Sequence, residues 1–164
     1  MAYYCVDSRP ASGVPGEVHS AKQNDLGAIR EFSDGTTIYR YIYLQGVAST
    51  VAGDWVCFKP GVYTTARLTT AMRGGVAIAS AAIVASSYGW YGYEGTFTSN
   101  CLSATLSNGY LYATATAGSA EDLLTKNELI ANATATGAPV TSTGGGSQVV
   151  AINRATVGNY IESV

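Results

Sequence analysis

Chemistry in this chain would have to start from very few side chains. Cys5 and His19 are its one pairing of a nucleophile with a base, with Glu17 nearby. Such a pair works only when both groups are held at hydrogen-bond reach. Both lie in a stretch punctuated by Pro10, Gly13, Pro15 and Gly16, which cannot hold two groups together unaided, so His19 reads as a solvated or interface histidine. Asp54, Glu94, Glu121, Asp122 and Glu128 form no spaced pair of the glycosidase or metal-binding kind, and turn or surface roles account for most of them. Gly89, Gly92 and Gly95 recur every third residue with aromatics between them. That is not GxGxxG and leads into no helix, which argues against a phosphate cradle. Cys5, Cys57 and Cys101 are odd in number, lack CxxC spacing and share the chain with a single histidine, so neither a zinc site nor a disulfide framework is indicated. Cys57 and Cys101 read as small buried hydrophobes, with a Cys57–Cys101 bridge as the alternative. No catalytic residue, cofactor or metal is expected.

The aromatic residues are the more informative set. Tyr39, Tyr41, Tyr43, Tyr88, Trp90, Tyr91 and Tyr93 could form a platform for stacking a sugar or binding a protein, or they could fill the core and cover barrel edges. Strand periodicity puts Tyr39, Tyr41 and Tyr43 on one face and Ile38, Arg40, Ile42 and Leu44 on the other. It likewise separates Trp90 and Glu94 from Tyr91 and Tyr93. In a one-sided barrel both sets cannot be core, so one is expected to face solvent or a partner.

The elements that must position these residues read as strands. Gly74–Gly95 has the pattern of a β-hairpin, with β-branched residues at Val76, Ile78, Ile83 and Val84 and a turn at Ser86-Ser87. Leu26–Phe32 and Thr36–Leu44 flank Ser33-Asp34-Gly35, and Asp-Gly between strand-like runs signals a hairpin. Ala52-Gly53-Asp54 feeds a strand at Trp55–Phe58 that Lys59-Pro60-Gly61 ends. Cys101–Leu106 and Tyr110–Thr116 flank Ser107-Asn108-Gly109, a second hairpin. Ser119–Leu129 is the one helix candidate, with Ser119 as cap and Asp122 at the capping-box position. Ile130–Thr136 reads as a weak strand, Gly137–Gly146 as a loop and Gln148–Asn153 as the last strong strand. Eight to ten strands predict an all-β fold, a β-barrel or jelly-roll-like sandwich with at most one short helix. Residues 1–24 read as an extended N-terminal arm and residues 25–164 as the body.

Composition narrows the function classes. Charged residues are 12% of 164, against a typical ~25%, so the surface is largely uncharged and suits a protein that lives within an assembly. A net charge of −2 and the lack of a basic stripe argue against nucleic acid. Gly74–Tyr93 is too rich in Ser, Gly and Tyr to be a membrane span, and MAYYCVDSRP lacks the pattern of a signal peptide, so synthesis in the cytoplasm is expected.

The order of these pieces resembles the small decoration, or cement, proteins of tailed-bacteriophage heads. The resemblance lies in Leu26-Gly27, the Asp34-Gly35 turn with its Tyr-rich strand, Ala52-Gly53-Asp54-Trp55-Val56, and Gly75-Val76-Ala77 leading to Tyr88-Gly89-Trp90-Tyr91-Gly92-Tyr93-Glu94-Gly95. It continues through Leu111–Gly118 and Gly137 to Val149-Val150-Ala151-Ile152-Asn153, and so covers residues 26–153. It implies a β-barrel or jelly-roll-like body, a homotrimer, and attachment to the outer capsid surface of the virion, bridging neighbouring major capsid subunits. It brings no catalytic residue. On that expectation Tyr3, Tyr4, Arg9 and Phe32 are candidate capsid anchors, and Tyr39, Tyr41, Tyr43, Tyr91 and Tyr93 candidate partner contacts. The alternative is a carbohydrate-binding adhesion module of a head or tail appendage, with Trp90, Tyr91 and Tyr93 stacking on sugar.

Overall fold

A computed structural model describes residues 2–102, 109–122, 128–138 and 145–158. The described residues are all-β, with twelve strands in one mixed, strongly curved sheet. They are β1 (Tyr4–Cys5), β2 (Val18–His19), β3 (Ile29–Ser33), β4 (Ile38–Gln45), β5 (Trp55–Phe58), β6 (Thr65–Arg67), β7 (Gly74–Ala79), β8 (Tyr88–Cys101), β9 (Tyr110–Ala113), β10 (Ala120–Glu121), β11 (Leu129–Ala135) and β12 (Gly146–Val157).

The organising element is β8, whose fourteen residues serve two sets of partner strands. Its first half pairs antiparallel with β4, from Gln45↔Tyr88 to Arg40↔Glu94, and its second half pairs with β12, from Asn153↔Glu94 to Gly146↔Cys101. The change of partner falls at Gly95, where φ is +134°, a conformation that a Cβ would resist. Gly92 and Gly95 also give room to rings: a Cβ at Gly92 would come within 2.7 Å of Phe97, and one at Gly95 within 2.9 Å of Tyr39. The spacing that fails as a phosphate cradle therefore serves close packing.

Beyond β8, a ring runs β12–β11–β9–β10 and returns to β8 through one parallel pair, Ala120↔Cys101. Its interior takes small and β-branched residues, including Ala113, Ala120, Ala133, Val150 and Ile152, with Trp55 as the largest buried side chain. A second cluster joins the β4–β8 sheet to β5 and β7 through Ile42, Leu44, Val56, Phe58, Ile83 and Tyr91. The third is aromatic: Phe32, Tyr41, Tyr43 and Trp90 lie beneath residues from the N-terminal segment. Asp54, buried at the start of β5, receives Arg67 Nε at 2.8 Å, Asn100 Nδ2 at 3.0 Å and Val51 N at 3.0 Å, which ties β5, β6 and β8 together.

Several expectations change. Residues 2–24 are folded onto the body: β1 pairs with β3, β2 pairs with β8, Trp90 Nε1 donates to Ser12 O at 3.2 Å, and His19 Nδ1 meets the Tyr43 hydroxyl at 2.8 Å. The apolar residues Tyr3, Cys5, Ala11 and Val14 supply the reason, since each packs on the aromatic cluster. The Gly74–Gly95 hairpin exists only in part. β7 and β8 are antiparallel neighbours at Ile78↔Gly92 and Ala79↔Tyr91, but most of the first half of β8 pairs with β4. Within the helix candidate, residues 120–121 are strand, because Ala120 is fully buried in the ring and pairs with both Ala113 and Cys101; residues 123–127 lie outside the described residues. The Ser107-Asn108 part of the second hairpin turn and most of the Gly137–Gly146 loop also lie outside them. The β12 strand runs on to Val157.

Candidate docking face

The three-stranded β3–β4–β8 sheet has two faces with different fates. On one, Phe32, Tyr41, Tyr43 and Trp90 are sealed by the N-terminal segment, with Phe32 and Trp90 rings 5.2 Å apart and Tyr43 and Trp90 5.0 Å apart in edge-to-face geometry. On the other, Ile42, Leu44 and Tyr91 are sealed by β5 and β7. Trp90 and Tyr91 are therefore both core, against the expectation that one set faces outward. That expectation assumed a one-sided sheet, whereas here separate layers cover the two faces.

The covering layer stops short. On the second face, beyond Ile42, register continues through Glu31↔Arg40↔Glu94↔Asn153 and, one row further, Tyr4↔Ser33↔Ile38. Among the described residues, Tyr4, Val6 and Ile38 stay open to solvent, 53%, 39% and 58% exposed. Val6 lies beside Glu31, donating its N–H to that residue's carbonyl at 2.9 Å. Across the strands runs a ladder of alternating charge. Arg40 donates to Glu31 at 2.9 Å and forks onto both oxygens of Glu94 at 3.0 and 2.9 Å, and Arg154 approaches Glu94 at 3.6 Å. The two acceptors, Glu31 first, hold the Arg40 guanidinium above its ordinary pKa.

This ladder borders a cleft of about 620 Å³ that also takes Asp7, Arg9, Asp25 and Arg30. Among the described residues, seven charged side chains line it, of twenty in the whole chain, with four of the six arginines among them. In so sparsely charged a protein, that concentration distinguishes this surface. Its ion pairs are partly solvated and contribute little to folding; arranged in fixed alternation, they are suited to setting the register of an approaching partner.

The sequence-selected residues fall in different places. Tyr4 and Arg9 are exposed on or beside this face, with Arg9 paired to Asp7 at 3.2 Å. Tyr3 is half-buried, its ring 6.1 Å from Tyr39 and 5.9 Å from Tyr41. Tyr39 is half-buried and donates its hydroxyl to Asp34 at 3.0 Å, while Tyr93 lies against Phe58 at 6.0 Å. Phe32, Tyr41, Tyr43 and Tyr91 are fully enclosed and have no surface to offer a partner; the same holds for Trp90 as a sugar-stacking residue. Burial drives the Tyr41 and Tyr91 hydroxyls well above the ordinary phenol range. Sequence reasoning missed Val6, Ile38, Glu31, Glu94 and Arg154 as surface determinants. The available signal was Arg40, a charge midway along a strand otherwise rich in tyrosine and isoleucine.

The remaining candidates for chemistry stay apart. The Cys5 sulfur faces Arg9 O at 3.9 Å while His19 is engaged by Tyr43. Cys5, Cys57 and Cys101 are free thiols, and burial pushes Cys57 up to about 11. Among the described residues no three His, Cys, Asp or Glu side chains gather as metal ligands. The chain matches no protein-family model, no curated protein and no solved structure.

Proposed function

We propose that this protein is a structural virion component that binds the outer surface of a bacteriophage capsid as a homotrimer and cements neighbouring major capsid subunits. The observation that carries this reading is the uncovered half of the β3–β4–β8 sheet, where Tyr4, Val6 and Ile38 stand beside the Glu31–Arg40–Glu94–Arg154 ladder. Exposed apolar residues flanked by fixed, alternating charges have the anatomy of a protein interface. The resemblance of residues 26–153 to head decoration proteins supplies the partner class. A largely uncharged β body is a fitting spacer on a lattice, and whatever binds only the assembled lattice stabilises it by mass action.

The N-terminal segment has a different part from the one its sequence implies. Because residues 2–24 are clipped onto the aromatic cluster, docking need not order a free arm, and the face is pre-organised. Mixing the purified protein with expanded heads assembled without it, pelleting the heads and imaging them tests the reading. Ordered density on the outer surface is the expected result. A soluble protein that leaves the heads bare overturns it.

A further inference from the structure

A second surface has chemistry that the capsid reading does not use. A groove of about 670 Å³ opens between the Asp34 turn, the N-terminal segment and the β8–β12 seam, and it shares no lining residue with the charged cleft. That size falls in the range of small-ligand sites. One wall is aromatic: Tyr39 lies 6.1 Å from Tyr3 at 80° and 5.7 Å from Phe97. The lining also includes exposed positions on β8 and β12, where Thr96 and Thr98 are two residues apart on one strand and Ser147 sits across from Asn100. Strand geometry sets the two threonines about 7 Å apart, comparable with the width of a pyranose ring. Among the described residues the hydroxyls of Thr96, Thr98 and Ser147 engage no hydrogen-bond partner in the chain, so each is free to donate and accept.

Among the described residues Asp34 is the groove's only acidic or basic side chain. Its Oδ1 accepts from Thr36 N at 2.9 Å and Thr37 N at 2.8 Å, and its Oδ2 accepts from the Tyr39 hydroxyl at 3.0 Å. These bonds fix the carboxylate: both acceptor sites of Oδ1 are filled, and Oδ2 keeps one for a ligand hydroxyl. With no lysine or arginine among the described lining residues, an anionic ligand finds no counter-charge there. A polyhydroxylated neutral one finds an acceptor, a row of hydroxyls and aromatic surface for its C–H face.

We propose that this groove binds a neutral oligosaccharide. The site differs from the one that sequence pattern offers, since Trp90 and Tyr91 are sealed in the core and the available rings are Tyr3, Tyr39 and Phe97. The charged cleft and the groove share no lining residue, so the two chemistries can be tested separately on the free protein.

The test is a panel of immobilised neutral tri- to pentasaccharides beside sulfated and sialylated counterparts, followed by titration of the best-retained neutral sugar. Retention of neutral members alone is expected, with affinity about fivefold weaker in Thr98→Val, which removes one hydroxyl at nearly constant shape. Tyr39→Ala is expected to lose binding. Because Tyr39 also packs against its neighbours, Thr98→Val is the deciding variant. Failure to retain any neutral sugar, preference for the anionic members, or unchanged affinity in Thr98→Val overturns the proposal.

Discussion

The two faces of the β3–β4–β8 sheet come from the same residues in alternation and end in opposite conditions. The face bearing Phe32, Tyr41, Tyr43 and Trp90 is closed over those rings, because Tyr3, Cys5, Ala11, Val14, Leu26 and Ala28 pack on them and the segment is tied down by Trp90 Nε1, the Tyr43 hydroxyl and strand pairing. The other face is closed only where β5 and β7 reach, over Ile42, Leu44 and Tyr91, and is open at Tyr4, Ile38 and the Arg40 ladder. The difference lies in the cover. Residues that look alike in sequence become core or surface according to which layer lies over them, and the open half is where a partner has room.

The comparison is sharpened most by removing what the closed face depends on. Trp90→Ala takes a fully buried ring from the aromatic cluster, together with its bond to Ser12, and is expected to destabilise the fold by about 3–5 kcal/mol. For a chain of this size that lowers the melting temperature by roughly 10 °C, readable by calorimetry. An unchanged melting temperature would show that the cluster is not a core.

Leu44→Ala, on the closed half of the opposite face, should cost about 2–4 kcal/mol in denaturant unfolding. A cost near zero would mean that β5 and β7 do not seal that half.

Arg40→Ala and Ile38→Asp probe the open half. Each should change folding stability by no more than about 1 kcal/mol, because the ion pairs are partly solvated and Ile38 packs little. Both should weaken co-sedimentation with expanded heads about tenfold or more. Large destabilisation with intact docking would reverse the roles assigned to the two faces.

The smallest effect is that of pH on the turn joining the two strands. Backbone N–H groups of Thr37 and Thr36 hold Asp34 below its ordinary value of 3.8. A lowered folded-state pKa contributes stability that is present above the unfolded value and lost as pH falls through the folded one. Stability should thus decline below about pH 4, and Asp34→Asn should flatten part of that decline in acid titration. An acid limb of equal slope in the variant would rule the turn out as a contributor.

Much of the strand layout was legible in the sequence. Alternation and the Asp34-Gly35 turn located β3 and β4, and Pro60-Gly61 correctly ended a strand at Phe58. The tyrosine face of β4 was also readable, because a two-residue period fixes which residues lie together. What periodicity cannot carry is the layer that covers each face. Val18–His19 became a strand because β8 offered an edge, and Ala120 became strand because the ring needed a small residue beside Ala113 and Cys101. Both outcomes come from contacts far away in sequence. The charge ladder was hidden for the same reason: Glu31, Arg40, Glu94 and Arg154 meet only after β3, β4, β8 and β12 are in register.

Amide hydrogen exchange on the head-bound protein tests the assignment of the open half most directly. Docking through that surface should slow exchange at residues 4–6 and 31–40 relative to the free protein and leave the outer side of β9 and β11 unchanged. Protection confined to β9 and β11, with residues 4–6 and 31–40 exchanging as they do in the free protein, would contradict it.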